Sequence, residues 1–298
     1  VRTPKEAREA FDRYYDERVD FIKVLNLSPA AFEALAEASR HNGIPFAGDL
    51  PPGVSAFTAA QDRMVSMEHL FGVGLACSRR ENELRNEALA GKPVTAEMMK
   101  SYDPEAAAAL WDLFRRYDVR QCPTLAFWSR MTGGVRAGGS EPGLRYIEAS
   151  IRKKWTDPGM VGENPDLARE EYAFALRLTR DMAKAGVPIL AGTDTGTPWT
   201  VPGIELHREL ALLVKAGLSP AQALRSATSE PARLMRREKE IGYVRKGYAA
   251  DLVVLTANPL IDIDNTRRID TVVVRGRQMN RLQLNQMLQR AAAQASKT

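Results

Sequence analysis

The sequence is poor in several things at once. Among 298 residues there are only 2 cysteines, Cys77 and Cys122, and only 3 histidines, His41, His69 and His207. Two distant cysteines without metal-type spacing exclude a disulfide framework and a cysteine metal motif; both read as unpaired thiols. Three histidines leave few places for imidazole chemistry. No apolar run approaches the about 18 residues of a membrane span. No period of about 20 to 50 residues recurs, which excludes a solenoid. The opening VRTPKEAREAFDRYYDERVD has no apolar h-region, so no signal peptide is read there and the expected location is the cytoplasm. The start at Val1 rather than Met is read as processing, trimming or an incomplete chain. One-sided charge is scarce too, with 42 Lys+Arg against 37 Asp+Glu. The densest basic stretch, 233–245, carries Glu238 and Glu240, and no basic stripe with interleaved aromatics appears, so nucleic acid is not an expected partner.

What is present suffices for a core: 44% apolar and 27% charged residues. The length fits two ordinary domains or one α/β barrel. After a charged helix at 4–18, apolar runs at 21–25, 44–50 and 64–70 alternate with helices at 29–41 and 55–62. The first of these helices opens on Ser28-Pro29 and closes on Asn42-Gly43. Such alternation predicts βαβ units and a parallel sheet. Residues 78–118 read as helical and lead to a strand at 121–128, followed by a Gly-, Pro- and charge-rich excursion at 130–165. A helix at 167–185 then feeds a strand at 187–192, and helices at 203–216 and 219–236 follow. Short β runs at 251–255 and 271–275 and a helix at 281–293 end the chain. Five βα units do not close an eight-stranded barrel. The expected domains are a barrel portion over 1–240 and a small β element with the terminal helix over 241–298.

Lys23 sits inside an apolar strand, where an ammonium needs a partner or a shifted pKa unless it reaches past the strand end to solvent. Asp49 and His69 lie near the carboxyl ends of their strands, and Asp194 lies just past the last one, where ligands gather in parallel α/β folds. Oxygen and imidazole donors of this kind suit a divalent metal such as zinc. For Asp194 the plainer alternative is a helix N-cap. His207, early in its helix, either lines a substrate pocket or sits on the surface. His41 is read as a cation at a helix C-terminus. Glu68 alternates with His69 on a strand, so it is expected on the opposite face, without a catalytic role.

Several stretches resemble the metal-dependent amidohydrolase superfamily, in its imidazolonepropionase-like and prolidase-like branch. They are Ala191-Gly192-Thr193-Asp194-Thr195-Gly196, Leu206-His207-Arg208-Glu209-Leu210, Leu213 to Leu224, and Asp251-Leu252-Val253-Val254-Leu255 with Asn258-Pro259-Leu260. The resemblance implies a partial (β/α)8 barrel, about strands 4 to 8, with a C-terminal piece of a small β-sandwich. It implies one or two divalent ions, zinc foremost, held by Lys23 as a carboxylated lysine, Asp49, His69 and Asp194. Asp194 also takes the proton of the attacking water. Gly48-Asp49-Leu50-Pro51 departs from the branch's Gly-His-Val-Pro, and the first-strand His-x-His pair is absent. The implied activity is hydrolysis of carbon–nitrogen bonds in a small amide, cyclic amide or dipeptide, by an incomplete chain. The alternative is an inactive descendant kept for binding or assembly. Loops after Gly72, Phe127 and Asp194 should shape the pocket, His207 should contact substrate, and 130–165 should serve as lid. Self-association is left open.

Overall fold

The computed structural model describes residues 1–132, 141–155 and 164–297; the expected lid therefore lies partly outside the described residues. The chain forms two compact units, one of residues 1–123 and 177–190, the other of 124–176 and 191–298.

In the first unit the predicted alternation produces a parallel sheet. Strands β1 (Ile22–Val24), β2 (Phe46–Asp49), β3 (Ser66–Glu68) and β4 (Arg120–Cys122) lie in the order 1-2-3-4. Helix α1 (Pro4–Asp16) packs Ala7 against Ala31 and Ala34 of α2 (Pro29–Asn42). The Ser28 hydroxyl accepts from the Ala31 N–H at 3.2 Å, Pro29 opens the helix, and Gly43 closes it at φ 76°. Phe32 of this helix meets Phe46 of β2 edge to face, with centroids 5.5 Å apart. Short helices α3 (Ala56–Gln61), α4 (Val73–Ala76), α5 (Glu81–Leu89) and α6 (Thr95–Lys100) precede the amphipathic α7 (Pro104–Tyr117), which leads into β4.

Gly48 is demanded by the sheet. It sits at φ 123°, and a Cβ there would lie 2.2 Å from the Val24 carbonyl oxygen and 3.1 Å from Cγ of Lys23. The Val24 carbonyl, and the Val24 nitrogen 2.9 Å from the same Cβ, are β1 backbone, so they cannot yield without separating the strands. Gly48→Ala is expected to destabilise the fold by about 3 kcal/mol or more, read as a lower urea midpoint.

Three predicted elements come out differently. The strand expected over 121–128 ends at Cys122, and α8 (Leu125–Met131) follows it. Pro123 offers no N–H to a ladder, and Thr124 turns the chain at φ 48°. The strand expected over 187–192 is reduced to one parallel bridge, Gln121 with Ile189. The helix expected over 219–236 is split into α12 (Pro220–Ser226) and α13 (Ser229–Leu234). Pro231 explains the break: its ring is tolerated only in a first turn, so the helix restarts just before it.

The second unit contains α8, α9 (Ala149–Trp155), α11 (Ile204–Ala216), α12 and α13, while α10 (Pro165–Lys184) contributes residues to both units. Its antiparallel sheet joins β5 (Leu252–Leu255), β6 (Ile269–Val274) and β7 (Arg277–Met279), and α14 (Arg281–Ala295) follows. The polar β7 was not anticipated. Arg275 and Gly276, both at positive φ, form the two-residue turn that pairs it with β6. Among the described residues no helix is long and apolar enough to cross a membrane.

Candidate metal centre

Parallel strands present equivalent ends at one edge of a sheet. Asp49 ends β2, Glu68 ends β3, and the two are partners in register, so their side chains leave the same face. Strict alternation would turn His69 away. The strand stops at Glu68, however, and both His69 and Leu70 adopt φ 63°. The His69 N–H donates to the Cys122 carbonyl at 2.9 Å, which anchors this left-handed step to β4. The buried imidazole is thereby returned to the face it would have left. Its Nε2 lies 3.2 Å from Asp49 Oδ1 and 3.8 Å from Glu68 Oε2. Donor atoms of Asp49, Glu68 and His69 all fall within 4.8 Å of one another. The expectation that Glu68 faces the other way is corrected by this turn, and Glu68 joins the cluster.

Lys23, in the middle of β1, places Nζ 2.6 Å from Glu68 Oε2, with 43% of its side chain exposed. It is thus a partnered, solvated ammonium rather than a buried one. Lys23, Asp49 and His69 are brought together, and Glu68 is the member that strand periodicity concealed.

Asp194 and His207 belong to the second unit. Asp194 adopts φ 51° in a loop that also holds Gly196 at 119° and Trp199 at 68°. Its carbonyl accepts from the Thr197 hydroxyl at 2.8 Å and the Thr200 hydroxyl at 3.4 Å. The hydroxyls of Thr193 and Thr195 share a bond of 2.7 Å. Asp194 caps no helix, because the N-cap of α11 is Gly203. Trp199 packs against Trp155, beside Ile147 and Val201. His207 hydrogen-bonds through Nδ1 to the Thr266 hydroxyl at 3.0 Å, tying α11 to the 3-10 turn Ile263–Arg267. Burial, with Arg267 nearby, holds its pKa below the usual imidazole value, so it is neutral at pH 7.

Sequence reasoning also missed a buried charge layer between α8 and α11. Glu205 and Glu209 are both 0% exposed and stand four residues apart in the inward stripe that continues to Leu213. Glu209 accepts from the N–H groups of Leu125 at 3.1 Å and Ala126 at 2.6 Å, closing the start of α8. Burial nevertheless dominates and pushes its pKa up to about 8, with Glu205 adding to the rise. Arg130 lies between Glu205 and Glu141. Two glutamates aligned with Leu213 at helical spacing were the available signal.

Residues 176–279 match the amidohydrolase family model. Ochratoxinase of Aspergillus niger is 37% identical over 90 residues, which are 30% of this chain and 18% of that protein. Bottromycin amidohydrolase superposes over 98% of this chain and 62% of its own, with TM-score 0.73 and 25% identity. A Xaa-Pro dipeptidase crystallised with methionine in its active site covers 94% of this chain and 59% of its own, with TM-score 0.63 and 20% identity. The chain thus spans less than two thirds of either solved structure and under a fifth of the ochratoxinase in the aligned part. Residues 176–279 thus carry an amidohydrolase family match, and the described α/β fold is similar to that of these enzymes.

Proposed function

We propose that this chain carries the metal-binding part of a hydrolase that cleaves amide bonds in small molecules. The observation that supports it is the convergence of Asp49, Glu68 and His69 at the carboxyl ends of adjacent parallel strands. Two carboxylates and an imidazole suit a divalent cation, and zinc accepts this donor set. Asp49, Glu68 and His69 would hold one ion; Asp194, and Lys23 after carboxylation, are the further ligands of this reading. Such a cation supplies Lewis acidity for the scissile carbonyl and makes water nucleophilic near neutral pH. The residues do the rest. Asp194 receives the proton of the attacking water and passes it to the leaving nitrogen. Glu68 keeps an anionic oxygen on the shared face; carboxylation of Lys23 would end their present ion pair and leave both as oxygen ligands. The reading takes β1 to β4 as part of a (β/α)8 barrel, about strands 4 to 8 within 1–240, and β5 to β7 as part of a small β-sandwich. His207 enters it as a substrate contact through the edge of its ring not bound to Thr266. Amide and dipeptide substrates are proposed by likeness to bottromycin amidohydrolase and the Xaa-Pro dipeptidase.

A second reading, a binding or assembly protein without activity, is favoured by Asp49 standing where the branch has histidine and by the absence of a His-x-His motif. One assay separates the two. Zinc-loaded protein is offered N-acyl amino acids and Xaa-Pro dipeptides, beside Asp194→Asn. The threonine hydroxyls bind the backbone carbonyl of residue 194, so the isosteric variant keeps the loop. A kcat lowered about 10²- to 10⁴-fold is expected. Zinc binding without turnover of any substrate in the wild type leaves the second reading.

A further inference from the structure

We infer that Arg85 is a positioning residue for Asp49, acting through the loop that follows β2. The inference rests on the metal-centre reading and extends it to a residue that touches no ligand. The loop, 50–55, begins immediately after Asp49 and contains Pro51 and Pro52, which have no N–H to donate. The Pro51 carbonyl accepts from the Val54 N–H at 2.9 Å, and two further carbonyls of the loop are answered by a side chain from α5. Nη1 of the buried Arg85 donates to the carbonyl oxygens of both Pro52 and Val54, each at 2.9 Å. Nη2 of the same guanidinium pairs with Glu81, whose Oε1 also accepts from the Ser55 hydroxyl at 2.6 Å. Ser55 is the N-cap of α3. One planar cation therefore fixes the middle of the loop directly and its far end through Glu81.

The near end is fixed by shape. A Cβ on Gly72 would lie 2.7 Å from Leu50 Cδ2, so Leu50 is seated directly on that glycine. Leu50 adjoins Asp49, and Gly72 lies in the turn just past His69. A Cβ on Gly53 would lie 2.8 Å from Pro29 Cγ, which pins the loop against the start of α2. Two of the three donors thus share a frame, the Leu50–Gly72 contact, and Arg85 stops the chain from sliding away from it. Lysine cannot replace this fork, because one ammonium cannot meet two carbonyls and a carboxylate in the same plane.

The test is zinc titration by calorimetry on folded protein, with melting measured alongside. Arg85→Gln is expected to lower zinc affinity at least about 10-fold, the range seen when groups that orient metal ligands are removed. Arg85→Lys should retain the Glu81 pair, lose the two carbonyl bonds and show a measurable loss of affinity smaller than that of Arg85→Gln. Tyr102→Phe deletes a 3.1 Å bond to Asp181 elsewhere in the same unit and serves as the stability control. It should lower the melting temperature and leave zinc affinity unchanged. If Arg85→Gln does not fold, Arg85→Lys carries the decision. Wild-type zinc affinity in the folded arginine variants, or an equal loss in Tyr102→Phe, overturns the inference. Absence of zinc binding in the wild type overturns the metal-centre reading itself.

Discussion

Glu209→Gln is expected to flatten the pH dependence of stability between about pH 5 and 8. In the folded chain the Glu209 carboxyl titrates at about 8, against 4.5 for an ordinary glutamate. The native state therefore holds a proton that the unfolded state releases. A raised carboxyl pKa contributes stability that is fully present below 4.5 and is lost as pH rises through about 8. The slope is about 1.4 kcal/mol per pH unit, and the whole effect is about 5 kcal/mol. The surroundings explain the direction. On α11, Glu205 faces the same side and Arg208 stands beside it; from α8 comes Arg130, bound to Glu205 and to Glu141. Two arginines balance two glutamates, and a third anion has no counterion, so the proton stays on Glu209. Glutamine removes the titration but turns an amide N–H₂ towards one of the two backbone donors, which costs about 1 to 3 kcal/mol. The variant should thus be less stable than wild type at pH 4.5, where nearly the whole effect is present, and more stable at pH 9, where the wild type has lost it. Urea unfolding across this range checks it, and an unchanged wild-type slope in the variant contradicts it.

The misread strand after Gln121 and this buried carboxylate are one lesson. Residues Leu125 to Trp128 are apolar and aromatic, and periodicity cannot tell such a short run from a strand. Pro123 is the local sign against a continuing strand, and Glu209, more than eighty residues later, closes the helix start by accepting the N–H groups of Leu125 and Ala126. No local signal carries that contact. Where the decisive interactions are local, the chain was readable: Ser28-Pro29 and Gly43 bound α2, and Asn280 caps α14. The strand order and the strand-end positions of Asp49 and His69 follow from the same alternation. Glu68 was hidden because the period-2 rule holds only while the strand continues, and the left-handed step at His69 ends it. Lys23 was legible as a residue in need of a partner, but the identity of that partner depended on this step.

The central claim concerns the three donors, and their removal should have the largest effect on binding. Substitutions must spare the backbone. At φ 63° His69 is best replaced by asparagine, which tolerates the left-handed region better than alanine does. Asp49→Asn and Glu68→Gln keep size and remove charge. Losing a donor outright should exceed the 10- to 100-fold cost of disturbing an outer partner, so zinc affinity should fall by more than about 100-fold. The measurement is zinc per chain by elemental analysis, after loading and exhaustive dialysis, on wild type and His69→Asn of equal helicity. The account predicts at least one equivalent retained by the wild type and none by His69→Asn; equal zinc in both, or none in the wild type, would contradict it.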